Sequence, residues 1–204
     1  MGDACCGKSP DLAAMEAGQR RVLAIVMLIN IGSCAMMLAA SIHSGSSSLL
    51  SGSLDNFGDA VTYLLSLLVI GAGLRAKARV AMLKSALILG AAVAVALQIA
   101  WRLRHPGAPL FESMGAAALV NLGLNASCLW LLSPYRNGDI NLASAWECSR
   151  NDVFEGLAVI GAAAGVGVFG AGWPDLAVAI ALPVLFARSA WRVLAGAWAQ
   201  LREA

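Results

Sequence analysis

The sequence predicts an all-α integral membrane protein of six transmembrane helices with both termini in the cytoplasm. Three observations carry that expectation. Of 204 residues, 59% are hydrophobic and only 13% are charged, a balance unlike that of a soluble domain. A spanning helix takes about 20 apolar residues, so six spans use nearly the whole chain. The breaks between apolar runs are legible, and Lys and Arg are distributed unevenly across them.

Spans are expected at 22–42, 49–73, 80–101, 112–132, 141–164 and 174–194. Ser44-Gly45-Ser46-Ser47-Ser48 forms the first turn. Arg75, Lys77 and Arg79 mark a basic loop. His105-Pro106-Gly107-Ala108-Pro109 and Ser133-Pro134-Tyr135-Arg136-Asn137-Gly138 break the next two connections. Gly170 to Pro174 separates the fifth span from the sixth. Trp101, Trp130, Trp173 and Trp191 fall near expected ends, as an interfacial belt requires. This divides the chain into a polar cytoplasmic tail (1–21), a membrane domain (22–196) and a short cytoplasmic tail (197–204).

With six spans the termini share a side. That side carries eleven Lys and Arg, and the opposite side only Arg102 and Arg104. The positive-inside rule therefore places the termini in the cytoplasm. Residues 1–21 are polar and the run from Val22 is long enough to span, so no cleaved signal is expected. Met1-Gly2 resembles a myristoylation start, but Cys6 stands where Ser or Thr is required. A net charge of +2 gives no reason to expect a nucleic-acid partner.

Against this apolar background the acids stand out. Asp55 and Asp59 lie in the second span, and Cys148 and Asp152 in the fifth, at the same i, i+4 spacing. A charge near the bilayer centre costs roughly 2.5–3.5 kcal/mol on insertion scales, and such residues mark ion pathways. Side chains four apart project from one helix face. If the two faces meet, Asp55, Asp59, Cys148 and Asp152 converge as four deprotonatable ligands. Zn²⁺ accepts tetrahedral oxygen and sulfur donors. Without metal, packed carboxylates need protons, so metal binding releases protons. That exchange is a physical basis for metal/proton antiport. Cys148 alone reads equally well as a small packing residue.

Other polar groups are weaker candidates. Asn30, Asn121 and Asn125 suit either a pathway or interhelical hydrogen bonds. Glu155 lies one turn beyond Asp152 and either widens the site or relays protons. Asn56 and Asn151 flank the pairs as candidate outer-sphere donors. Arg150 points away from Cys148 and Asp152 and is expected to pair with Glu147. Asp175 suits the first turn of its own helix. His43 and His105 read as solvated. Gly161 and Gly165 form a GxxxG suited to close helix packing. Of five cysteines, none forms a CxxC. Cys34 and Cys128 read as packing residues, and Cys5-Cys6 as cytosolic thiols with the option of capturing soft metal.

The stretch from Ser46 to Ala60, with its small residues leading into Asp55-Asn56-Phe57-Gly58-Asp59, resembles the second span of the cation diffusion facilitator family. Cys148-Ser149-Arg150-Asn151-Asp152-Val153 resembles that family's fifth-span HxxxD or DxxxD element. The six-span layout agrees over essentially the whole chain. The resemblance implies a homodimeric, non-enzymatic exporter in a bacterial inner membrane. Divalent transition metal would be its substrate and protons its counter-substrate, with no catalytic cofactor. It carries the transport site onto Asp55, Asp59, Cys148 and Asp152. Two departures stand out. Cys148 replaces the usual His or Asp, which favours Zn²⁺, Cd²⁺ or Co²⁺ over Mn²⁺. The chain ends at Ala204, as in a short subgroup without the cytoplasmic C-terminal domain, so dimerisation would rest on membrane helices.

Two rivals come from other classes. A thiol-based membrane redox enzyme would need an oxidisable cysteine pair, and no CxxC supplies one. A non-transporting assembly subunit would gain nothing from buried acids.

Overall fold

The computed structural model describes residues 17–68, 93–105, 107–136 and 140–182, with 86, 90 and 184 as isolated positions. Six helices account for almost all of them: α1 (Ala17–Ser44), α2 (Ser47–Leu68), α3 (93–104), α4 (Phe111–Leu132), α5 (Ile140–Phe169) and α6 (Trp173–Leu182). No strand occurs among the described residues. The segments Gly18–Ser44, Phe111–Tyr135 and Cys148–Phe169 are each long and apolar enough to cross a membrane. Helix α2, at 22 residues, reaches about 33 Å at 1.5 Å per residue. Its serines and aspartates, not its length, lower its hydropathy.

The connections are tight. Only Gly45 and Ser46 separate α1 from α2. Gly45 takes a left-handed φ of 72°, its N–H donates to Ser41 O at 2.8 Å, and the Arg102 guanidinium occupies the space a Cβ would need. Any side chain there meets both obstacles. Of the expected serine turn, Ser47 and Ser48 already belong to α2. The fifth span runs five residues past its expected end at 164. Gly161, Gly165 and Gly167 stay helical, and the helix stops at Gly170, whose φ of 59° and N–H bond to Val166 O (2.9 Å) form a left-handed C-terminal cap. Described helix α3 ends three residues beyond the expected 101. Residues 69–85, most of 86–92, the segment beyond 184 and the terminal stretches that hold Cys5 and Cys6 lie outside the described residues.

Helix α1 packs along α2 and α4, α4 packs along α5, and α2 touches α5 over a shorter stretch. The interior is layered. One apolar cluster joins Leu23 and Val26 of α1, Tyr63 of α2, Cys128 and Leu132 of α4 and Ala145 of α5. A second joins Met37, Leu49, Met114, Ala118, Val159 and Leu182. Between them along each helix lie Asn30 and Ser33, Asn56, Asn121 and Asn125, and Asp152, all buried. Large apolar side chains such as Leu28, Leu119, Trp130 and Phe154 face outward. An apolar outside around a polar middle suits a hydrocarbon surround. Exposed Trp101, Trp130 and Trp173 sit close to helix ends, where the belt was expected. The GxxxG pair divides: Gly165 receives Pro174 of α6, whose Cβ lies 2.9 Å from a Cβ built there, whereas Gly161 has nothing within 4 Å.

Candidate ion site

The polar middle layer has two halves. On the first, α1, α2 and α4 are joined by uncharged groups. Asn121 Oδ1 accepts from Ser33 Oγ of α1 and from Asn56 Nδ2 of α2 (3.2 Å). Asn56 Nδ2 also donates to Gly52 O at 2.8 Å. One amide hydrogen of Asn56 thus ties α2 to α4, and the other stays within α2. Asn30 Nδ2 donates to Val26 O, while the Oδ1 atoms of Asn30 and Asn125 are buried with no hydrogen-bond partner among the described residues. Ser53 Oγ donates to Cys34 O and holds α1 to α2 one layer over.

On the second half, acids face acids. The side chain of Asp55 on α2 is hydrogen-bonded to Asp152 and to Glu155, both on α5. The charge of Asp59 bears on Asp152, on Glu155 and on Cys128 of α4. The second and fifth helices therefore meet through their acidic faces. Carboxyl groups in hydrogen-bond contact need a proton or a cation between them, since two bare carboxylates repel. Glu155 reaches Asp55 because residue 52 is glycine. A Cβ at Gly52 would lie 3.1 Å from Glu155 Oε1 and 2.8 Å from Met37 Cε. The i, i+3 step from Gly52 to Asp55 puts the gap one turn from the acid it serves.

Cys148 is buried one turn before Asp152 on the same face of α5. Among the described residues, no three His, Cys, Asp or Glu side chains are gathered closely enough to hold an ion as they stand. The acids bond each other instead. Asn151 lies on the exposed side of α5. Arg150 sits with its guanidinium carbon 5.4 Å from the centre of the Trp146 ring, a cation–π contact one turn back along α5. The side chain of Glu147, its expected partner, lies outside the described residues. His43 and His105 are exposed, and His105 stacks on Trp101 at 3.9 Å.

Asp175 lies in the first turn of α6, as expected, and does more than serve its own helix. Its side chain is buried and bonds to α2. Its Oδ1 accepts from Ser46 Oγ (2.6 Å), Ser48 N (3.0 Å) and Ser48 Oγ (2.6 Å), and its Oδ2 accepts from Ser47 N (2.7 Å). Helix α2 has no acid in its own first turn, and α6 supplies one from 127 to 129 residues away. Free N–H groups and the helix dipole make that end of α2 a favourable place for an anion. A start of three consecutive serines, rich in donors and lacking an acid, was the signal in the sequence.

A layer of buried and half-buried acids between two apolar clusters of the bundle is the kind of setting that marks an ion pathway. The cation efflux transmembrane domain matches residues 23–201. The chain belongs to that family of metal cation transporters. A comparison with curated proteins finds none that matches. Membership sets aside the thiol redox enzyme. Among the described residues no disulfide joins Cys34 of α1, Cys128 of α4 and Cys148 of α5.

Proposed function

We propose that this chain exports a divalent transition metal, with Zn²⁺ the best fit and Cd²⁺ or Co²⁺ as alternatives, in exchange for protons. Asp55, Asp59, Cys148 and Asp152 form its transport site, and Glu155 contributes a further carboxyl beside Asp55. The observation that carries this reading is the contact of Asp55 with Asp152 and Glu155 across the α2–α5 interface. Oxygens that meet across this interface are the oxygens a dication would take. Arrival of the metal displaces protons, and their return expels the metal. Three carboxylates and one thiolate give a donor set that Zn²⁺ accepts. The polar layer is shielded from both ends by apolar clusters, so access must alternate between them by helix rocking.

Topology belongs to the same proposal. The Lys and Arg bias puts both termini in the cytoplasm of a bacterial inner membrane, and a homodimer would form through membrane helices. Cys5 and Cys6 would serve as cytosolic metal collectors. Replacing both with Ser removes that role if transport and resistance are unchanged.

The test is transport by the purified protein in liposomes with an imposed pH gradient. Zn²⁺ should move against the proton flow, and acidification should track metal binding. Zn²⁺ flux indifferent to the gradient would remove the antiport. Normal flux by both Asp55→Asn and Asp152→Asn would remove the site.

A further inference from the structure

We propose that Asp175 is a positioning residue for ion translocation. It fixes the rotation and depth of α2, and it holds as a closed joint through the whole transport cycle. The inference rests on the transport site proposed above.

The geometry runs from the joint to the site along one line. Ser48, which gives Asp175 two hydrogen bonds, precedes Asp55 by seven residues and Asp59 by eleven. At 100° per residue these three positions fall within about 20° of one stripe. A rotation of α2 at Ser48 therefore swings both acids by the same angle. The joint continues a turn further down, where Ser51 Oγ shares its hydrogen between Ser47 O of its own helix (3.2 Å) and Ala179 O of α6 (3.3 Å). Helices α2 and α6 are thus bonded over two turns. At the far side, α2 meets α5 over a shorter stretch that includes the contacts of Asp55 with Asp152 and Glu155.

The energetic contrast fixes which contact moves. Opening the Asp175 joint strips a buried carboxylate of four donors and leaves two backbone N–H groups and at least one hydroxyl unmet within the protein. The α2–α5 contact sets acids against acids and offers no such ring of donors among the described residues. The joint at Asp175 therefore stays shut while the α2–α5 contact rearranges. It is a fixed end, not an outer gate.

The test uses the full chain in liposomes. Cys5, Cys6, Cys34 and Cys128 are replaced by Ser or Ala and Cys148 is retained. In the Ser48→Cys/Asp175→Cys variant, the reduced protein should show a Zn²⁺ KM raised about tenfold, the size of loss seen when groups that orient metal ligands are removed. Oxidation to the disulfide should bring KM back towards the parent value, because a covalent link replaces the hydrogen-bonded joint. Loss of transport on oxidation, with recovery on reduction, would overturn the proposal and make the joint a gate. Asp175→Asn supplies a second reading without crosslinking: KM should rise while monodisperse protein per cell holds. A fall in yield alone, with KM unchanged, would make Asp175 a stabilising residue only and would also overturn the proposal. Failure of the transport reading itself is separable, since the parent protein would then move no Zn²⁺ at all.

Discussion

Asp175 and Asp152 are both aspartates buried inside the same helical bundle, yet their surroundings are opposite. Asp175 is ringed by donors: two serine hydroxyls and two backbone N–H groups at the start of α2. Asp152 is ringed by acids: Asp55, Asp59 and Glu155. A carboxylate among donors is complete within the protein and holds helices together. A carboxyl among carboxyls is incomplete and draws a cation or a proton from outside. Burial alone does not separate a structural acid from a transporting one. The hydrogen-bonding sign of the neighbours does.

That contrast predicts opposite outcomes for similar substitutions. Asp152→Asn and Asp55→Asn should take Zn²⁺ flux to background while folded protein in detergent holds its yield and Tm, since removing one of several mutually repelling acids relieves the layer. Asp175→Ala should cost stability first, in addition to any rise in KM. It leaves buried donors unmet at a cost on the order of 3 kcal/mol, read as a lower Tm and a smaller monodisperse peak. An Asp152→Asn variant that lost its fold, or an Asp175→Ala variant that kept it, would erase the distinction. A next, smaller effect is expected from Gly52→Ala. The added methyl would crowd Glu155 Oε1 and Met37 Cε, pushing Glu155 off Asp55 and weakening Zn²⁺ binding by about tenfold. Unaltered affinity would mean that Glu155 plays no part in holding metal.

The acid-rich half also carries a pH dependence that the donor-rich joint lacks. Metal and protons compete for the same oxygens, so Zn²⁺ affinity should fall as pH falls, and each Zn²⁺ bound should release protons into weakly buffered solution. Isothermal titration in buffers of different ionisation enthalpy measures that release. Asp55→Asn and Asp152→Asn should each reduce it, whereas Asp175→Asn should leave it unchanged.

Much of this was legible in the sequence, for a physical reason. Acids in apolar runs are costly, so Asp55, Asp59 and Asp152 stand out with no structure in hand. The i, i+4 spacing then gives a common face. What spacing on single helices cannot give is which faces meet and which small residue lets them. Gly52 reads as one small residue among several, although its missing Cβ admits Glu155. Asp175 was read on its own helix because the first-turn rule is local. Its true partners come from a donor-rich helix start more than a hundred residues earlier. The fifth span is expected to end at 164, yet Gly165 and Gly167 stay helical, and the helix stops only where Gly170 takes the left-handed conformation.

The finest comparison lies within the acidic half, between Cys148 and Asp152. They sit one turn apart on one face of α5, both buried. Thiolate is a soft donor and carboxylate a hard one. Replacing Cys148 by Ser keeps the size and removes the soft atom. If the thiol is a ligand, Cd²⁺ and Zn²⁺ should lose more affinity than Mn²⁺, and the order of the series should shift towards oxygen-seeking ions. If it is a packing residue, all three ions should shift together or not at all. The effect is expected to be the smallest of the set, because Asp55, Asp59 and Asp152 remain to hold the ion. Competition against a fluorescent chelator, run with each metal in turn, resolves it. An unchanged series would leave Cys148 as a filler between α5 and its neighbours and make the transport site one of oxygen donors alone.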